Sequence, residues 1–322
     1  MEGGQHGCSQ SYFDMGGGWY DDPGLMSTVH RQLEVAKEAL TRDRSSAAEV
    51  AVVIDPEAFA RHGVLTTVNS WQILGQMAEL GYMGAPFDLM SLADIDRLPP
   101  QKLWLFLNLY DPTNEEIVRI HARLKKDRAT GVFVYAAGHL AGKDGAARLT
   151  GMAVLTDGAR RKVDVRVSAG KLGLIQDAVY GTSSKVGPSR FEGGEISPTF
   201  SVRDAGAEVL GLDTRSGQPG MCRKDMGGWT SVYSSAPGIA ACVLRGLAKA
   251  AGVHIYLEED AAVYANSSLV SVTVVQPGKR RISLPREGNV IDAITGKRVA
   301  DRAASFEWEF HERESRLFLL QR

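Results

Sequence analysis

The chain has 322 residues, 44% hydrophobic and 23% charged, with 37 Lys and Arg against 38 Asp and Glu, a globular composition with room for two domains. A formal net charge of -1 supplies no long-range field for nucleic acid or an anionic membrane. No apolar run approaches the roughly 18 residues of a membrane span, and the first fifteen residues, with Glu2, His6 and Asp14, carry no secretory pattern.

In chain order, Tyr12-Phe13-Asp14-Met15 reads as a short strand running into Gly16-Gly17-Gly18 and the aromatic pair Trp19-Tyr20. Asp22-Pro23 then opens a helix, Asp22 as N-cap and Pro23 at the first helical position, where its missing N–H is not needed. Leu25, Val29, Leu33, Ala36 and Leu40 recur every three or four residues, so this helix is expected to bury that stripe. From Glu49 strands and helices alternate: strands over 50–54, 87–92, 102–108 and 131–137, helices over 70–80 and 113–126. Thr113-Asn114-Glu115-Glu116 is a helix-start signal. Strand–helix–strand at this spacing implies a doubly wound α/β domain with a parallel sheet.

Beyond Gly151, residues 162–167 alternate with period two, 181–198 read as a long surface loop, 207–212 and 229–234 as strands, and 238–251 as a helix ended by Gly252. After Val253 helical periodicity stops. Short strands at 263–265, 269–275, 279–284, 289–292, 306–310 and 316–320, punctuated by Gly278, Gly288 and Gly296, indicate a small antiparallel β domain.

The chemistry-bearing residue types are sparse. Gly138-His139-Leu140-Ala141-Gly142-Lys143-Asp144 follows a strand, where a phosphate loop would lie, but it lacks one spacer, and Asp144 stands where such loops carry Ser or Thr. Gly220-Met221-Cys222-Arg223-Lys224 approximates a nucleophile elbow without its second glycine, so Cys222 reads better as an unreactive thiol. Cys8, Cys222 and Cys242 are odd in number and far apart, which fits a reducing, cytoplasmic compartment. The seven histidines never pair at ligand spacing, so no metal and no cofactor are expected. The segment of greatest interest is Asp14 to Asp22: Asp14, Trp19 and Tyr20 bracket three glycines at the carboxyl end of a strand, a place where α/β folds put ligands. An indole stacks on the C–H face of a sugar while a carboxylate accepts from its hydroxyls; the alternative is that both aromatics cover the helix start.

These residues carry a resemblance. Tyr12 through Pro23 resembles the end of the catalytic barrel in bacterial glycoside hydrolases related to the family 42 β-galactosidases. Val50-Ala51-Val52-Val53-Ile54-Asp55, Leu105-Phe106-Leu107-Asn108, Val134-Tyr135-Ala136-Ala137-Gly138 and Trp229-Thr230-Ser231-Val232-Tyr233 are similar to strands of their trimerisation domain, which has the class I glutamine amidotransferase fold. The tail, from Val263-Tyr264-Ala265-Asn266 to Arg316-Leu317-Phe318-Leu319-Leu320, resembles their C-terminal β domain.

The resemblance implies a barrel-derived βα leader over 1–44, a flavodoxin-like, amidotransferase-like α/β domain over 45–252 and an antiparallel β domain over 253–322. It also implies a homo-oligomer, for which a trimer is one possible form, and a carbohydrate substrate met together with a catalytic barrel, with Asp14, Trp19 and Tyr20 as substrate-binding residues. Retaining glycosidases need two carboxylates about 5–5.5 Å apart. In the family both lie on earlier barrel strands, and a barrel takes about 250 residues, so no catalytic residue is assigned to this chain. The expectation is the non-catalytic C-terminal part of a β-galactosidase-like glycoside hydrolase, with no nucleic acid or membrane partner. The alternatives are an autonomous α/β sugar- or nucleotide-binding protein, or a small thiol hydrolase using Cys222.

Overall fold

The structure is a computed structural model that describes residues 16–18, 21–61, 68, 70–183 and 194–321. It divides into two compact units. One comprises 49–83 with 87–254, the other 1–48 with 84–86 and 255–322. Among the described residues no helix is long and apolar enough to cross a membrane.

The larger unit is built on a nine-stranded sheet. Its first strands are β1 (Val50–Ile54), β2 (Asp88–Ser91), β3 (Leu103–Phe106) and β4 (Thr130–Val134). It continues through β6 (Asp164–Val167), β7 (Ala178–Gly181), β9 (Glu208–Asp213), β10 (Pro219–Asp225) and β11 (Thr230–Ser234), in the order β2-β1-β3-β4-β11-β10-β9-β6-β7. The two remaining strands of the unit, β5 (Val154–Asp157) and β8 (Thr199–Val202), pair with each other as a separate antiparallel ribbon.

Contacts from β2 through β11 are parallel, and Val50-Ala51-Val52-Val53 and Leu103-Trp104-Leu105-Phe106 are buried throughout, as parallel strands covered on both faces require. The remaining pairings are antiparallel. The sheet is therefore mixed, which corrects the expectation of a parallel sheet. β10 explains much of the difference. Its Pro-Gly-Met-Cys-Arg-Lys-Asp sequence lacks strand periodicity, and it becomes a strand because β9 and β11 flank it on both sides and satisfy its backbone.

Helix α2 (Gln76–Gly81) continues a π-helical turn, Ser70–Gly75. The turn just after it is held by the buried Arg245 of α5 (Ala241–Ala250), which donates to Tyr82 O at 2.7 Å and Met83 O at 3.0 Å. Helix α3 (Asn114–Asp127) starts with the expected capping box: Thr113 Oγ1 accepts from Glu116 N at 3.2 Å, and Glu116 Oε2 accepts from Thr113 N at 2.8 Å. Helix α4 (Gly145–Thr150) follows the loop after β4.

The smaller unit joins helix α1 (Pro23–Leu40) to a five-stranded antiparallel sheet. The strands are β12 (Ala262–Ala265), β13 (Leu269–Thr273), β14 (Gly278–Asp292), β15 (Arg298–Phe310) and β16 (Ser315–Gln321), in the order β12-β13-β16-β14-β15. Asp22 caps α1 by accepting from Leu25 N at 2.8 Å, as expected. The face that α1 buries is not the expected one. Val35 and Ala39 pack with Leu269, Ala293, Leu317 and Leu319, whereas Leu25, Leu33 and Leu40 are 48%, 46% and 65% exposed. Arg31 sets this rotation by donating to Ala293 O at 2.8 Å and Ile294 O at 2.6 Å. Residues 279–284 and 289–292, expected as separate strands, form one long strand whose pairing with β15 shifts between Ser283 and Gly288. Pro285, which has no N–H for a ladder, lies in that break.

Candidate functional site at the carboxyl ends of the parallel strands

In open α/β sheets ligands bind outside the carboxyl ends of the strands. Here those ends deliver Asp55 after β1, Asn108 and Tyr110 after β3, Tyr135 to Gly138 after β4, and Ser234 and Ser235 at β11. Tyr135 has φ +57°, the strained strand-to-turn conformation in which hydrolases on this kind of sheet present a Ser or Cys nucleophile. A tyrosine gives that position different chemistry. Its hydroxyl donates to Pro198 O at 2.8 Å, its ring meets Phe200 edge-on at 5.2 Å, and burial pushes the phenol well above its ordinary pKa. Tyr233 OH donates to Tyr135 O at 2.6 Å. The His139 ring lies 5.2 Å from Phe200, and burial lowers its pKa by disfavouring the charged imidazolium.

Most of the surrounding polar groups bond one another. Tyr110 OH donates to Gln72 Oε1, and the Gln72 amide donates to Leu107 O and to Val134 O. Asn108 exchanges two bonds with the Asp55 backbone, at 2.8 and 2.9 Å. Tyr180 shares a 2.8 Å hydrogen bond with Ser234, whose hydroxyl also meets Ala236 O. This network ties the strand ends together and fills most of the crevice with bonded neutral side chains, although among the described residues the buried Ser235 hydroxyl has no hydrogen-bond partner and Asp55 keeps a carboxyl group there.

The glycine-rich loop after β4 is equally closed. Gly138 N bonds Leu109 O at 2.6 Å, His139 N bonds Ala136 O, Leu140 N bonds Tyr110 O, Ala141 N bonds Gly138 O, and Gly145 N bonds Gly142 O. A phosphate cradle needs several N–H groups aimed outward together, and here those of residues 138–141 and 145 point into the protein's own carbonyls. A methyl group on Gly138 would meet Gly145 O at 2.7 Å, so the loop folds tightly on itself. Among the described residues no three His, Cys, Asp or Glu side chains gather as a metal site would require.

Of the residues expected to touch a sugar, Asp14, Trp19 and Tyr20 all lie outside the described residues. Gly17 and Gly18, between them, adopt φ +72° and +84°, conformations natural to glycine. Cys222 is buried in the middle of β10 opposite Tyr233, and burial pushes its thiol up to about 11. That environment is the reverse of what activates a nucleophilic thiolate, which removes the physical basis of the thiol-hydrolase alternative. Accordingly, in the folded protein at pH 8 Cys222 is expected to react with a disulfide reagent more slowly than in the denatured chain by a factor of 100 or more, on the order of its protection by burial. Rapid native-state labelling of Cys222, located by peptide mapping, would contradict it. Nothing in the sequence singles out Gln72 or Tyr110, and the one local signal for Tyr135 is an apolar strand, residues 131–134, running into Tyr-Ala-Ala-Gly.

No family model and no curated protein matches this sequence. Solved structures do. A β-galactosidase from Bacillus circulans sp. alkalophilus superposes with a TM-score of 0.65 at 18% identity, over 92% of this chain and 44% of that one. A catalytic mutant of a GH42 β-galactosidase from G. stearothermophilus gives 0.64 at 16%, over 98% of this chain and 47% of the other. An α-L-fucosidase isoenzyme 2 from Paenibacillus thiaminolyticus gives 0.60 at 11%, over 92% and 52%. The chain thus spans about half the length of these glycosidases or less, and it has a fold that recurs in GH42 β-galactosidases.

Proposed function

We propose that the chain is the non-catalytic C-terminal part of a β-galactosidase-like glycoside hydrolase, acting in oligomerisation and in completing a sugar site formed with a catalytic barrel. The observation that carries this reading is the extent of the likeness: 92–98% of this chain superposes on only 44–47% of the two β-galactosidases. The closed crevice supports it from the other side, since a tyrosine bonded to a main-chain carbonyl stands where a nucleophile would act. The parallel order β2-β1-β3-β4 followed by a fifth strand is that of flavodoxin-type sheets, which favours the amidotransferase-like trimerisation domain. On this reading the protein is cytoplasmic, and its partners are further copies of itself and a carbohydrate substrate held by the barrel. Asp14 would accept from sugar hydroxyls while Trp19 and Tyr20 present ring faces. The exposed stripe of Leu25, Leu33 and Leu40 on α1 is apolar surface of the kind that a barrel neighbour would cover.

The test combines activity with mass. The purified chain is expected to leave aryl β-galactosides intact while light scattering gives a mass above that of one chain. Turnover abolished by replacing one carboxylate of this chain would overturn the non-catalytic assignment, and a monomer at every concentration would overturn the oligomeric role.

A further inference from the structure

The break in the β14–β15 ladder builds a pocket that the proposed function does not use. Pairing runs from Gly278↔Phe310 to Ser283↔Ser305 and resumes at Gly288↔Ala303, so several residues of β14 stand against one of β15. Such bulges bend a strand and re-aim its side chains. The bulge carries Arg286 and Glu287. On β15, just past the Gly288↔Ala303 pair and beside Asn289, Arg302 is held at φ +40°, a conformation that costs a non-glycine residue free energy. Together with Gly288, Asn289 and Gln321 these residues line a pocket of about 440 Å³, within the range of small-molecule sites.

Elsewhere on this sheet cationic side chains are matched. Lys279 pairs with Glu307, Arg280 with Glu259 at 2.7 Å, Arg298 with Asp301 at 2.6 Å and Arg316 with Glu314 at 2.6 Å, while Arg281 donates to Ser305 Oγ at 3.1 Å. Arg286 and Arg302 differ. Among the described residues neither guanidinium has an ion pair or a side-chain hydrogen bond, yet both face the same pocket. The pocket is also rich in donors. Asn289 Oδ1 is occupied by Arg302 N at 3.0 Å, and Asn289 lines the pocket together with Gln321. Two guanidiniums against one carboxylate, that of Glu287, leave one positive charge, which matches a monoanion better than a dianion. Glu287 adds an acceptor for a hydroxyl.

We propose that this pocket binds a small hydroxylated carboxylate of the sugar-acid class, its carboxylate held by Arg286 and Arg302 and a hydroxyl by Glu287. The inference is independent of any catalytic barrel.

Calorimetric titration of the full chain at low ionic strength would compare glucuronate, glucose and glucose 6-phosphate. Glucuronate is expected to bind saturably at one site per chain, glucose not at all, and added salt should weaken the binding. Arg286→Ala and Arg302→Gly should each lower the affinity about tenfold or more, since each removes charge-assisted hydrogen bonds. Arg302→Gly is the decisive variant, because glycine adopts a positive φ without strain, so its melting temperature should stay at the wild-type value while binding falls. Absence of saturable glucuronate binding, or wild-type affinity in either variant, would overturn the proposal. Tighter binding of the phosphate than of glucuronate would overturn the choice of a carboxylate.

Discussion

Arg123→Met is expected to destabilise the larger unit by about 3–5 kcal/mol, the usual cost of removing one partner from a buried ion pair. Arg123 and Asp127 are one helical turn apart on α3, joined at 2.9 Å, with side chains 5% and 0% exposed. The guanidinium also donates to Ile95 O, Leu98 O and Pro99 O, so one side chain satisfies the turn that leads into β3. It lies 5.0 Å from the centre of the Trp104 ring, whose indole N–H donates to the same Asp127 oxygen. Methionine would fill the volume but leave a buried carboxylate with no counter-charge and three carbonyls without their donor. The double variant Arg123→Met/Asp127→Asn should be less destabilised than Arg123→Met alone, because the uncompensated charge is gone while an acceptor remains for Gln101 N and Trp104 Nε1. Urea unfolding followed by tryptophan fluorescence measures both. A loss under about 1 kcal/mol for the single variant, or no recovery in the double, would show that the pair is not the linchpin described.

Gly138→Val should cost about 3 kcal/mol or more and open the loop after β4. Two effects add: a β-branched residue is strained at φ +71°, and its Cβ would lie 2.7 Å from Gly145 O and 2.9 Å from Ala146 Cα. Both contacts are to backbone, so relief requires α4 to move away. That movement would release the Gly138 N to Leu109 O and Leu140 N to Tyr110 O bonds that close the crevice. Hydrogen exchange should then become faster at residues 138–145 while β1 and β3 stay protected. A variant of wild-type stability and unchanged exchange would mean that the loop is not packed as tightly as its backbone contacts imply.

How much was legible in the sequence follows from the range of the forces involved. The strands over 50–54 and 103–106 were readable because a parallel strand buried on both faces must be apolar throughout, and the ends of α1 and α3 because Asp22-Pro23 and Thr113–Glu116 cap their helices within one turn. The direction of a strand is another matter. β10 runs antiparallel to β11, and its backbone is satisfied by partners on β9 and β11 whose positions no local pattern encodes.

The same distinction governs the face of α1 and the crevice. The 3.6-residue stripe Leu25–Leu40 told that the helix is amphipathic, but Arg31 reaching Ala293 and Ile294, some 260 positions on, decided which residues pack. Composition and spacing argued against a phosphate loop and a cysteine nucleophile, because those chemistries demand particular residues at particular offsets. That Tyr135 takes the strained position, with its hydroxyl on Pro198 and its ring on Phe200, was decided only by tertiary structure. A hydrogen bond between residues 63 positions apart leaves no periodic trace in a sequence, since periodicity records only neighbours along one element.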